Sequence, residues 1–138
     1  MLTVKSIVEN TYARWGEAIS KKVGGNYSME NSSVVSVMPY ASLYFLGLPG
    51  NSYDLEGDEG TVVPTLQVDI YTNGQRALTK AYEIDAVSHE TLVREMGYRR
   101  TTGPELIQST DPSIKRLTSR YSRVIGFGDS LTAQDGTG

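Results

Sequence analysis

The chain has 138 residues, no cysteine, and 13 basic against 16 acidic side chains, for a formal net charge of −3. This length fits one compact domain, and the lack of thiols excludes a disulfide scaffold, a thiolate zinc site, an iron–sulfur cluster and a cysteine nucleophile. The acidic balance excludes a nucleic-acid binder acting through overall charge, while leaving local basic patches open.

From Leu2 to Lys22, the residues Val4, Val8, Thr11, Tyr12, Trp15 and Ile19 recur at spacings of three and four, and Lys5, Glu9, Arg14 and Lys21 fall elsewhere. That spacing predicts an amphipathic helix, with Thr3 as its N-cap and Gly24-Gly25 closing it. Residues 26–38 are rich in Asn and Ser and fix no register. Tyr40 to Leu46 alternates, Ala41, Leu43 and Phe45 against Tyr40, Ser42 and Tyr44, and predicts a strand. A loop follows from Gly47 to about Val63.

Thr65 to Thr72 carries the clearest strand pattern: Leu66, Val68 and Ile70 alternate with Gln67, Asp69 and Tyr71, which predicts one buried face. Asn73-Gly74 resembles a hairpin turn. The residues after it recur every three or four, however (Ala77, Ala81, Ile84, Ser88, Leu92, Met96), so a second helix ending at Gly97 is expected, with Asn73 as its N-cap. Tyr98 to Thr102 predicts a short strand broken by Gly103-Pro104. Ile114 to Ile125 predicts a long one, with Leu117, Tyr121 and Ile125 facing away from Arg116, Thr118, Arg120 and Ser122.

The expected fold is therefore α+β: a four-stranded, mostly antiparallel sheet with two helices on one face, in the order α-β-β-α-β-β. The domain is expected to span residues 1–126, with residues 127–138 as a flexible, glycine-rich tail. No apolar run approaches the roughly 18 to 20 residues that cross a bilayer. The opening residues alternate apolar and charged where a signal peptide has an apolar block, so a soluble protein made in the cytoplasm is expected.

Catalytic patterns are scarce. His89 is the single histidine, and without a second histidine or a cysteine it reads as a surface helix residue in preference to a base or metal ligand. Nucleophile elbow, Walker loop and dinucleotide fingerprint are all absent. Asp54, Glu56, Asp58 and Glu59 resemble half of a calcium loop, but Thr65 stands where the bidentate glutamate is needed. These four carboxylates read first as a solvated loop tip, and otherwise as a device that repels or positions a charged partner. From Arg94 to Arg123 the balance reverses, with seven basic residues against three acidic. Arg99 and Arg100 beside Arg116 and Arg120 would form a compact cationic face, suited to an acidic protein surface or, less so, to phosphates, unless they are ordinary solvated arginines at cross-strand positions.

Met96-Gly97-Tyr98-Arg99-Arg100-Thr101-Thr102-Gly103-Pro104, followed by Arg120-Tyr121-Ser122-Arg123-Val124-Ile125-Gly126, resembles the C-terminal half of small neck and tail-completion proteins of long-tailed bacteriophages of the siphovirus type. The match is to the tail terminator family and covers about residues 64–126. The resemblance implies a structural virion protein without catalysis or cofactor. Such a protein forms a ring, typically of six copies, that caps the tail tube and joins it to the head-side connector or stopper protein.

In that setting it would be assembled in the host cytoplasm and located in the virion neck, with no membrane partner. Arg99, Arg100, Arg116 and Arg120 would meet a neighbouring subunit. Asp54, Glu56, Asp58 and Glu59 would border the ring's opening, past which genome DNA moves without specific binding. Two alternatives stay open: another neck protein of the same stack, such as a head-completion or stopper protein, and a small nucleic-acid-binding accessory protein.

Overall fold

A computed structural model describes residues 4–29, 37–47 and 61–126. Helix α1, Val4–Val23, leads through the two-residue strand β1, Tyr27–Ser28, to β2, Tyr40–Gly47. After β3, Thr61–Val62, come β4, Thr65–Asn73, and helix α2, Ala77–His89, which continues as a π-helical segment, Glu90–Glu95. Strands β5, Arg99–Ile107, β6, Ile114–Ser122, and β7, Ile125–Gly126, are the last elements of the described residues.

The class is α+β, as expected, but the sheet has five strands in the order β1-β2-β4-β6-β5. The fifth strand is β1, which pairs with β2 in parallel through Tyr27↔Ala41 and Ser28↔Ser42, making the sheet mixed. Two residues are too short a run for alternation to register in a sequence. A separate two-stranded sheet joins β3 to β7. The pairs β2–β4, β4–β6 and β5–β6 are antiparallel.

Both helices cover one face of this sheet. Ala41, Leu43, Leu66, Val68, Ile70, Leu117 and Tyr121 on the strands form one core with Ile7, Trp15, Ile19 and Val23 of α1 and Ala81, Ile84, Leu92 and Met96 of the second helix. The stripe on α1 is centred on Ile7, Thr11, Trp15, Ile19 and Val23, with Val8 and Tyr12 only at its margin. Trp15 is fully buried, and its indole Nε1 donates to Ser88 Oγ at 2.9 Å, tying α1 to α2.

The π-helical segment has a cause in the sequence. Ile84, Ser88, Leu92 and Met96 are all buried at intervals of four. Each such step rotates an α-helical stripe by about 40°, so an α-helix would carry the later residues off the core. A wider turn absorbs that drift and keeps Leu92 and Met96 fully buried. The chain then turns at Gly97 into Tyr98, which is 2% exposed and hydrogen-bonded through its hydroxyl to Thr11 at 2.8 Å.

Three boundaries differ from expectation. Helix α2 begins at Ala77 with Arg76, not Asn73, at its N-cap position, because Asn73 still belongs to β4, opposite Ile114. Strand β5 runs through Gly103-Pro104 to Ile107, accommodating them with register shifts between Arg100 and Thr102 and between Thr102 and Glu105. An edge strand tolerates proline because one side of its backbone needs no partner. Strand β6 ends at Ser122, and Ile125 lies in the separate strand β7. Thr3 and the expected tail, residues 127–138, lie outside the described residues.

Candidate interaction surface on the outer sheet face

Alternation along the strands sends every second side chain away from the helices. On that outer face the register sets side chains in rows: Tyr40, Tyr71, Arg116 and Ile107; then Ser42, Asp69, Thr118 and Glu105; then Tyr44, Gln67, Arg120 and Thr102; and Ser122 beside Arg99 at the end. An amphipathic strand would leave such a face wet, yet Asp69 is 0% and Gln67 7% exposed. The expectation of one buried face on β4 is therefore too simple, since its centre is buried on both sides.

Asp69 is accommodated because it is saturated with donors. Thr118 Oγ1 donates to its Oδ1 at 2.7 Å, and Tyr44 Oη and Arg116 Nη2 donate to Oδ2 at 2.8 and 3.2 Å. Gln67 Nε2 adds a bond to Oδ1 at 3.1 Å, and its Oε1 accepts from Arg120 Nε at 3.1 Å. The Arg116 guanidinium also lies 5.5 Å from the centroid of the Tyr71 ring. Burial, joined by the hydrogen bond to Asp69, raises the Tyr44 hydroxyl above the usual tyrosine range, so it stays a proton donor. Between these rows is a groove of about 400 Å³ lined by Gln67, Thr102, Glu105, Arg116 and Arg120, among others.

A second polar cluster sits on the helix side of β5 and β6. Arg100 Nη2 donates to Asp85 Oδ1 at 2.7 Å and to Tyr121 Oη at 2.6 Å, and its guanidinium lies 5.3 Å from the Tyr121 ring centroid. His89 Nδ1 is 3.2 Å from the same hydroxyl. Burial and the Arg100 charge hold the His89 imidazole below its usual pKa, against the opposing pull of Asp85 and Glu90. Burial pushes Tyr121 up to about 12 even though Arg100 opposes the shift.

The four arginines therefore do not form one face. Arg99, Arg116 and Arg120 project from the outer face, while Arg100 turns inward to Asp85 and Tyr121. Consecutive residues on a strand point to opposite sides, so Arg99 and Arg100 part company. His89 is not a bare surface residue but half-buried against Tyr121. Asp54, Glu56, Asp58 and Glu59 lie outside the described residues. Among the described residues, no group of three His, Cys, Asp or Glu side chains is placed to hold a metal, and no helix is long and apolar enough to cross a membrane.

The Asp69 network has no local signal in the sequence, because its partners Tyr44, Arg116 and Thr118 are 25, 47 and 49 positions away. The nearest clue is an acidic residue inside the best strand pattern, flanked by apolar positions. No model of a known protein family matches the chain, and comparison with curated proteins yields no match.

Proposed function

We propose that the protein is a structural component of a bacteriophage tail, a terminator whose ring caps the tail tube and joins it to the head-side connector. The observation that carries this reading is the outer sheet face. Tyr40, Tyr44, Tyr71, Arg116 and Arg120 are arrayed there on rigid strands, with Arg116 and Arg120 pinned by Asp69 and Gln67. Tyrosine and arginine are the residue types that dominate protein–protein contacts, and pre-setting their rotamers lowers the entropy lost on docking. The turn Gly97-Tyr98-Arg99-Arg100 into the β5–β6 pair, on which the resemblance to tail terminators rests, is anchored by the buried Tyr98 and by the Arg100–Asp85 ion pair at 2.7 Å.

The same face supports one further reading, since tyrosines interleaved with arginines also stack bases of single-stranded nucleic acid. Particles made without this protein distinguish the two. A terminator's loss gives tubes of unregulated length and heads without tails; a nucleic-acid accessory protein's loss leaves joined particles of normal tail length.

A further inference from the structure

Arg100 donates to the Tyr121 hydroxyl twice, from Nε at 3.0 Å and from Nη2 at 2.6 Å, and His89 Nδ1 lies 3.2 Å from the same oxygen. A hydroxyl has two lone pairs and one proton, and a guanidinium only donates. Arg100 therefore fills both lone pairs, and the O–H is left to donate to His89 Nδ1. That direction fixes the imidazole: Nδ1 is bare, the ring is neutral, and its proton is on Nε2.

A protonated ring does not fit the same place. Its Nδ1–H would meet an oxygen with no lone pair to spare, and its charge would stand beside Arg100. Asp85 of α2 and Glu90 of the π-helical segment favour the charged ring, whereas Arg100 of β5 and the buried surroundings of Tyr121 on β6 oppose it. Both carboxylates are already engaged, Asp85 with Arg100 at 2.7 Å and Glu90 with Arg94 at 3.4 Å. The ring is only half-buried, so turning out to solvent is open to it.

We propose that His89 is a proton-operated latch: with Nδ1 bare it ties the end of α2 to β6, and on protonation it leaves Tyr121 and loosens the π-helical segment from the sheet. Its position gives one hydrogen bond this reach. His89 is the last residue of α2 and immediately precedes Glu90–Glu95. The other polar tie to the β5–β6 pair, Asp85 to Arg100, lies one turn earlier and holds the α-helical part. Beyond His89 the segment is held by the buried Leu92 and Met96, so the opening is local. It belongs to the range below about pH 6.5, where an imidazole takes up its proton. Tyr121 and Arg120 are consecutive on β6, so the strand that the latch grips on its inner side presents Arg120 on its outer side. The latch stands on this geometry alone and requires no ring.

NMR of the full chain tests the latch. With a single histidine, a long-range nitrogen–proton spectrum of the ring reads the tautomer directly. At about pH 7.5 the proton should be on Nε2; a proton on Nδ1 overturns the proposal. Amide hydrogen exchange follows the release. Between about pH 7.5 and about pH 5, after correction for intrinsic rates, protection of the Glu90–Glu95 amides should fall about fivefold while that of residues 11–19 in α1 holds. Equal protection at both pH values, or a loss shared by α1, overturns it. Tyr121→Phe keeps the ring and removes the O–H, so the His89 midpoint should rise by about half a unit as the neutral form loses its hydrogen bond. An unchanged midpoint contradicts the latch. His89→Asn supplies an acceptor that does not titrate and should keep the segment protected at both pH values; protection that falls with pH as in the parent protein shows that His89 is not the trigger.

Discussion

Arg116 on β6 reaches diagonally to the buried carboxylate of Asp69 on β4, its Nη2 donating to Oδ2 at 3.2 Å. The two are unequally placed, with the Arg116 side chain 32% and the Asp69 side chain 0% exposed. Removing the carboxylate therefore takes the acceptor from Thr118, Tyr44 and the guanidinium together, with Gln67 still bonded to Tyr44 Oη at 2.7 Å, while removing the arginine leaves the carboxylate three other donors.

Asp69→Ala is accordingly expected to lower unfolding stability by about 3 to 5 kcal/mol, the range for a buried ion pair that loses one partner. Asp69→Asn, which keeps one acceptor oxygen, should cost roughly half of that. Urea unfolding with an unchanged slope measures both. A loss below about 1 kcal/mol for Asp69→Ala would mean that the network holds nothing together.

Gly103 has φ +96°, and a Cβ there would stand 2.4 Å from the Thr118 carbonyl oxygen and 2.9 Å from Ser119 Cα. At Gly74, with φ +81°, a Cβ would meet nothing within 4 Å. Gly103→Ala therefore combines backbone strain with a backbone clash and should cost at least 2 kcal/mol more than Gly74→Ala, which bears only strain of about 1 kcal/mol. Equal losses in thermal unfolding would show that β5 shifts freely at this point.

Ser88→Ala leaves the indole N–H of fully buried Trp15 without its acceptor. The expected cost is about 1 to 3 kcal/mol. Trp15 is the only tryptophan, so its fluorescence reports the change without interference: the emission of the folded variant should stay blue-shifted while the unfolding midpoint falls. A red-shifted folded spectrum would mean that the helix packing itself had opened.

His89 is held below its usual pKa by burial and by Arg100, with Asp85 and Glu90 opposing. The folded protein then binds its proton less readily than the unfolded chain, so the stability tied to His89 is complete above the unfolded value of about 6.5 and is lost as pH falls through it. His89→Gln should flatten the pH dependence of stability between about pH 7 and pH 5, relative to the parent protein. The one histidine also yields a single ring resonance by NMR; a midpoint above 6.5 would reverse the sign of the whole argument.

Much of this fold was legible in the sequence because its signals are local. The alternation of Leu66, Val68 and Ile70 and the spacing of Trp15 and Ile19 name the buried sides of β4 and α1. The intervals of four from Ser88 to Met96 point to a helix, and only the packing makes its last stretch π-helical. Strand β1 escaped because two residues carry no period, and β3 and β7 are equally short. The outer-face network escaped for a different reason. Alternation assigns Asp69 to the side opposite Val68, but its burial there depends on Arg116 and Thr118 arriving from β6. Alternation along β5 does contain the clue that Arg99 and Arg100 separate, and reading the four arginines as one patch passed over it.

The central claim is a ring at one place in a particle. The most direct measurement is imaging of assembled tails and virions by electron microscopy, with the protein identified by its fitted fold or a bound label. The account predicts one ring of this protein at the head-proximal end of the tail tube, most simply with six copies. Its distribution along the tube, or its absence from the particle, would contradict that claim.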